Sequence, residues 1–232
     1  MKLKVFAINS SPNMDKGSTA FILNPFIEGM REAGADVEVF YTKKLKINPC
    51  QGEFNCWKVH PGECFQKDDM TMKILPVLAE SEIWVLASPL YVHGVNGPMK
   101  NFLDRIIPLM LPFAEIKDGH ITHNMRENVK LQKIVLVASC GFWKLDHLDP
   151  LVEYVKGVCD ETKSEFAGAL LRPHAHVISE GMPIDFIINA SKEAGKQLII
   201  NGHMSSETLE LISKVLLPQQ AHMDGTRQVF KY

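Results

Sequence analysis

Three short runs of consecutive apolar residues, at 5–8 (V-F-A-I), 83–87 (I-W-V-L-A) and 134–138 (I-V-L-V-A), constrain the fold of this chain more than any other feature. Each is short and lacks polar alternation, the pattern of a strand covered on both faces. Helical periodicity separates them. Alternating Val37, Val39 and Tyr41, and a run near 166–171, extend the series of strands. This β-α-β order requires a mostly parallel sheet with right-handed crossovers and helices on both faces, a five-stranded doubly wound α/β fold. Ligands of such sheets bind beyond the carboxyl ends of the strands. Three of those ends run into loops of small or hydroxyl-bearing residues, at 10–19, 88–97 and 139–142. One ligand touching all three is the economical reading.

Between these landmarks the chain reads in order. Residues 18–34 form a helix with Phe21, Ile22, Phe26 and Met30 on one side, closed by Gly34; Pro25 inside it predicts a kink or a late start. A long loop at 46–67 carries Cys50, Cys56 and Cys64. Asp68 and Asp69 stand where a helix N-terminus favours carboxylates, ahead of Met70, Ile74, Val77 and Leu78. Pro98 suits the first turn of another helix. Asp118-Gly119 predicts a hairpin within about 112–132, an excursion from the main sheet. A helix is expected from about 148 to 162. Residues 184–201 and 205–217 read as helical, with Leu209, Ile212 and Leu216 on one face and Pro218 as the stop. The organisation is one domain over 1–180 with a C-terminal helical extension over 181–232.

Composition narrows the function classes. Lys and Arg number 25 against 27 Asp and Glu, a net charge of −2 that argues against nucleic acid as a partner. No apolar run has the length of a membrane span, and the N-terminus enters a strand without a signal-peptide pattern, so no membrane partner is expected. Five cysteines, an odd number, fit a reducing compartment better than a disulfide scaffold, which points to the cytoplasm.

The first loop carries the first chemistry. A strand, a polar loop and a helix N-terminus opened by Ser18 and Thr19 make an anion site from unpaired amides, the helix dipole and hydroxyls. Neither G-x-x-x-x-G-K-[ST] nor G-x-G-x-x-G is present, so neither the nucleoside-triphosphate nor the dinucleotide fingerprint is met. A monophosphate cradle remains, beside the plainer alternative of a polar loop that binds nothing.

Three blocks make the chain resemble the flavodoxin-like NAD(P)H-dependent FMN reductases, relatives of the iron–sulfur flavoproteins and quinone reductases. They are N-S-S-P-N-M-D-K-G-S-T, the cysteine loop P-C-Q-G-E-F-N-C-W-K-V-H-P-G-E-C-F-Q-K-D-D-M, and S-P-L-Y-V-H-G-V-N-G-P-M-K-N-F-L-D-R. The resemblance covers about residues 3–171. It implies FMN bound non-covalently, NAD(P)H as co-substrate and a small-molecule electron acceptor. Ser10, Ser18 and Thr19, with amides around Asn13 and Gly17, would hold the phosphate. Pro89, Leu90, Tyr91 and Val92 would line the isoalloxazine, and Ser139, Cys140, Gly141 and Phe142 would form the other wall. His93 and Tyr91 are the candidate catalytic residues, His93 as proton donor to a carbonyl or quinone oxygen; a solvated loop histidine is the alternative. The iron–sulfur branch carries four cysteines spaced by two, two and several residues. Cys50 and Cys56 match the first and third, Cys64 can serve as the fourth, and Glu53 stands at the second. Cluster ligation takes four thiolates, so no cluster and no other metal is expected.

The other candidates are plainer. His174-Ala-His176 puts two imidazoles on one strand face without a third ligand nearby. His120 and His123 read as exposed polar residues. Cys140 lacks a G-x-S-x-G elbow and reads as a packing thiol. Trp57 and Trp143 either stack on a ring or fill core. The expected function is hydride transfer from NAD(P)H to a quinone, azo, nitroaromatic or flavin acceptor, by a ping-pong mechanism in one shared pocket. A flavodoxin-type electron carrier is the alternative, and a phosphate-binding hydrolase or switch is weaker because residues 9–19 offer only Asp15 as a carboxylate. The hairpin and the stripe at 209–216 predict a homodimer or homotetramer.

Overall fold

The computed structural model describes residues 2–117, 119–176 and 184–230; Asp118 of the expected hairpin turn lies outside them. β1 (Lys4–Asn9), β2 (Asp36–Tyr41), β3 (Ile83–Pro89), β6 (Lys133–Ser139) and β7 (Glu165–Arg172) form one parallel sheet in the order β2-β1-β3-β6-β7. β4 (Met110–Lys117) and β5 (His120–Met125) pair antiparallel as a separate hairpin between β3 and β6. The chain winds outward from β1 to β2 and then returns to β3 on the other side. The switch point therefore lies between β1 and β3, which is the expected doubly wound, flavodoxin-like topology.

Strand alternation sends side chains to two cores. Phe6, Ile8, Trp84, Leu86, Ile134 and Leu136 face α3 (Leu75–Glu80), α4 (Gly97–Leu103) and α5 (Asp149–Thr162). Val5, Ala7, Val85, Val135 and Val137 face α1 (Ser18–Glu32) and α6 (Asp185–Asn201). α1 and α6 touch through glycine. A Cβ on Gly29 would stand 1.9 Å from the Lys192 carbonyl oxygen, and one on Gly195 would stand 2.1 Å from that of Phe26. The helix pair that covers this face can close only because both positions lack a side chain.

Three local expectations change. Pro25 neither delays α1, which starts at Ser18, nor interrupts it, and the ring is buried in the core face. The stripe at 209–216 is not a free surface. In α7 (Ser206–Ser213) Ile212 is fully buried, and Leu209 and Leu216 pack on the same core as α1 and α6. The helix expected over 205–217 with Pro218 as its stop ends earlier, at Ser213, and a separate helix, α8 (Gln219–Phe230), follows Pro218. Its sequence, Q-Q-A-H-M-D-G-T-R-Q-V-F, lacks the apolar periodicity that would have announced a helix. The loop at 46–67 contains one short helix, α2 (Asn55–Lys58).

Candidate functional site

Asn9, the last residue of β1, shapes the loop that follows. Its side-chain amide donates to the Met14 carbonyl (3.2 Å) and its Oδ1 accepts the Ser11 N–H (2.8 Å). Gly17 closes the loop against Ser11, where a Cβ would stand 2.6 Å from Oγ. α1 then begins with no side-chain cap. The amides of Ser18 and Thr19 find no acceptor among the described residues, the condition in which a first helical turn attracts an anion. The amides expected around Asn13 and Gly17 are otherwise engaged. Asn13 donates to Ser11 Oγ (3.3 Å) and Gly17 to the Met14 carbonyl (3.4 Å). Ser10 is buried with its hydroxyl donating to the Ala87 carbonyl (3.2 Å).

The second and third loops are tied to the first. Asn96 donates to the Ser10 carbonyl (2.7 Å) while its Oδ1 caps α4 at the Met99 N–H (3.2 Å). The Leu90 N–H donates to the Ser139 carbonyl (2.8 Å), and Thr19 Oγ1 lies 2.8 Å from Ser139 Oγ. Tyr91 and Gly94 exchange reciprocal backbone bonds of 3.0 and 3.1 Å, with Val92 and His93 between them at φ of 47° and 60°. The amides of Val92 and His93 take no acceptor among the described residues.

These loops enclose a cavity of about 200 Å³. Asn13, Ser18, Thr19, Pro89, Leu90, Tyr91, Ser139, Cys140 and Gly141, all singled out in the sequence, line it together. Ser10, Gly17, Val92, His93 and Phe142 are not among its lining residues: the first two are buried, and the other three are exposed, one or two residues along the chain from lining residues. Ser11, Pro12, Ala175 and His176 complete the lining. Ser11 and Pro12 belong to the first quoted block, while Ala175 and His176 come from the β7 end, where no motif pointed to the cavity. Cys140 is buried, and burial raises its thiol above the ordinary range, so it presents a neutral surface.

His174 and His176 do not share a strand face, for both follow the end of β7, His174 at φ of 36°. His174 is fully buried. Its Nε2 lies 3.2 Å from Arg172 and accepts the Leu216 N–H (3.3 Å). Burial, then the Arg172 charge and the neighbouring His222 and His176, hold it down at about 4. Arg172, also fully buried, donates to the carbonyls of Pro173, Ile212 and Lys214 and is lowered by burial to about 10. The Trp143 indole donates to the Leu217 carbonyl (2.8 Å). Together these bonds fasten the segment after α7 to the rear of the cavity.

Elsewhere, Asp68 and Arg105 form a buried two-pronged ion pair (2.9 and 3.1 Å) that joins the cysteine loop to the end of α4. Burial opposes charge on Asp68, but bonds from Arg105 and from the Asn48 and Thr71 amides outweigh it and leave the carboxyl lowered. Both residues stood in quoted blocks, yet nothing in either block signalled the pairing. A larger, mostly apolar cavity of about 490 Å³ shares no residue with the first. Trp57 and His123 line it, the indole donating to the Ile107 and Met110 carbonyls (3.3 and 3.0 Å). His123 is partly buried and bonded to the Leu111 carbonyl (2.9 Å), rather than free in solvent.

Fold and site define an α/β protein with a small cavity at the carboxyl ends of β1, β3 and β6, lined by both hydroxyl-bearing and apolar residues. The family model described as NADPH-dependent FMN reductase matches residues 3–149, and the chain belongs to that family. An iron–sulfur flavoprotein of Archaeoglobus fulgidus is 37% identical over 103 residues, covering 44% of this chain and 48% of that protein. One of Methanocaldococcus jannaschii is 30% identical over 123 residues, covering 51% and 58%. The chain thus spans about half the length of the curated relatives it matches. The NAD(P)H:quinone oxidoreductase from Methanothermobacter marburgensis superposes with a TM-score of 0.60 at 16% identity, covering 85% of this chain and 98% of that one. An FMN-dependent NADH-azoreductase from Bacillus anthracis, solved with FMN, gives 0.62 at 14% identity, covering 85% and 99%. At these identities the likeness is one of fold.

Proposed function

We propose that the chain is an FMN-dependent oxidoreductase that takes hydride from NAD(P)H and reduces a quinone, azo, nitroaromatic or flavin acceptor. The observation that carries this is the uncapped N-terminus of α1 opening into the same cavity as the Pro89-Leu90-Tyr91 wall. One end suits a single phosphate and the other a flat apolar ring, as FMN requires. Ser18 and Thr19 hold the phosphate through hydroxyls and amides. Pro89, Leu90 and Tyr91 pack on the ring, and the open amides of Val92 and His93 are available to a polar ring edge. When bound, FMN supplies the two-electron redox chemistry. Exposed His93 serves the acceptor as proton donor. The chain has no separate dinucleotide fingerprint, so donor and acceptor take turns in one pocket.

The iron–sulfur cluster in the relatives' names does not fit this chain. Cys50, Cys56 and Cys64 share a small cavity with Glu53, which gives three thiols where a cluster takes four. Burial, followed by the charges of Cys64 and Glu53, raises the Cys56 thiol, which disfavours the thiolate a metal needs. The free thiols favour a cytoplasmic setting. The carrier alternative is weaker, because a net charge of −2 offers little steering toward a protein partner. A visible spectrum of the purified chain, followed by anaerobic addition of NADPH, tests the proposal. A flavin band that bleaches within seconds is expected; a colourless protein that takes up no added FMN would overturn it.

A further inference from the structure

The cavity of about 490 Å³ has no part in the function proposed above, and its size is that of a small-molecule site. It lies between α5, the end of α4, the hairpin and Trp57 of the cysteine loop. Trp57, Leu103, Ile106, Met110 and Val158 give it an apolar wall. Asp104, Glu153 and Glu161 bring carboxylates to the lining, and no Lys or Arg joins them. The two glutamates stand about two turns apart on α5, at the ends of a stripe ~12 Å long.

Two features of this lining have no explanation in the fold. His123 donates from Nδ1 to the Leu111 carbonyl (2.9 Å), which in the neutral ring leaves Nε2 as an acceptor. Nε2 lies 3.8 Å from Glu161 Oε1, also an acceptor, and neither atom has another partner among the described residues. No donor stands between them. Asp104 and Glu153 differ, for Lys100 and Lys156 answer them at the surface. The second feature is Gly157. It lies in the interior of α5, where glycine is a poor helix former, and a Cβ there would meet nothing within 4 Å beyond its own helix backbone. Close packing does not require this glycine. Its effect is to leave the stripe between Glu153 and Glu161 open.

We infer that this cavity binds a small aromatic amine in its ammonium form. The apolar wall takes the ring. The ammonium donates to both His123 Nε2 and the Glu161 carboxylate, supplying the donor that they lack. A carboxylate ligand would meet three like charges and no lining cation. Gly157 gives the ring room to lie along α5. The site stands apart from the oxidoreductase reading: it shares no lining residue with the first cavity, and either can fail without the other.

The test is calorimetric titration of the protein as purified, at neutral pH, with 2-naphthylmethylamine, 2-naphthylmethanol and 2-naphthoate. The amine is expected to bind about tenfold more tightly than the alcohol, and the naphthoate more weakly than either. Glu161→Gln should weaken the amine about tenfold and leave the alcohol within about twofold, since only the charged contact is lost. Gly157→Leu fills the cavity from a position where leucine suits the helix. Its melting temperature should hold or rise, while amine and alcohol both lose about tenfold or more in affinity. Amine affinity unchanged in Gly157→Leu would put the ligand elsewhere, and equal affinity for amine and naphthoate would remove the role of the carboxylates. Either result, or no binding of the amine by the parent, overturns the site. A parent dimer that becomes a monomer in Gly157→Leu would show a second copy filling the cavity, and overturns it as well.

Discussion

Two neighbouring hydroxyls at the start of α1 have different duties. Thr19 is buried, and its Oγ1 contact with Ser139 Oγ joins the first loop to the third, so changing it disturbs the cavity wall itself. Ser18 is exposed and faces the cavity, so it can be changed without a packing penalty. Ser18→Asp places a carboxylate at a helix N-terminus, where the dipole favours it by roughly 0.3–1 kcal/mol, so the melting temperature should hold or rise. Against a phosphate the same carboxylate repels, and FMN affinity should drop by about 2–3 kcal/mol, roughly 100-fold. Fluorescence quenching of FMN checks it; unchanged affinity would move the phosphate site elsewhere. Glu53 is the second informative residue. With a carboxylate in place of a thiolate, anaerobically prepared protein should contain iron and acid-labile sulfide far below one cluster per chain. Stoichiometric iron with sulfide would make Cys50, Cys56 and Cys64 ligands after all.

At the scale of elements, the crossing of α1 and α6 sets how the sheet is covered. Gly195→Ala forces its methyl into the backbone of Phe26, which no side-chain rotation relieves. The helices must separate, at a cost of about 3 kcal/mol or more, near the upper end for overpacked cores. Urea melts read it, and a loss below about 1 kcal/mol would mean the crossing is loose. The segment after α7 is held differently, by Arg172 and His174. The His174 pKa falls from 6.5 to about 4 on folding, so between those values the unfolded chain binds the proton that the native one refuses. Stability from this group is complete above about pH 6.5 and is lost as pH falls toward 4. Melting temperatures should therefore decline over that window, and His174→Gln, which keeps an acceptor but cannot titrate, should flatten the decline. Much of this architecture was legible beforehand. The apolar runs became β1, β3 and β6 because a strand covered on both faces leaves no other pattern, and the hydroxyls of 18 and 19 opened α1 as read. The α1–α6 contact was not legible, since Gly29 and Gly195 acquire meaning only when two distant helices meet. The Asp68–Arg105 pair was missed for the same reason, and α8 was missed because it lacks an apolar stripe.

At the scale of the molecule, surface and cavity each lead to a prediction. With the stripe at 209–216 folded onto its own sheet, the case for a homo-oligomer rests on the hairpin, where Phe113, Ile116 and Ile121 are 75, 80 and 67% exposed. Isolated apolar residues on a surface are ordinary, but three on one short hairpin suggest a covered face. Light scattering at micromolar concentration should give at least twice the 26.1 kDa of one chain, and Ile116→Glu/Ile121→Glu should return the monomer. A parent already monomeric would leave the hairpin without that role. The proposed single pocket leads to a kinetic prediction. Hydride transfer needs reacting atoms at ~3–3.5 Å, so the nicotinamide must lie directly on the flavin face. An aromatic acceptor reduced from that flavin needs the same face, so on the proposed reading donor and acceptor compete for one seat. The larger cavity of about 490 Å³ shares no lining residue with the first and has no part in that expectation. On that reading oxidised nicotinamide leaves before the acceptor enters, and double-reciprocal plots at several fixed acceptor concentrations should be parallel. Intersecting lines would require both substrates on the protein at once, and the single shared pocket would have to be abandoned.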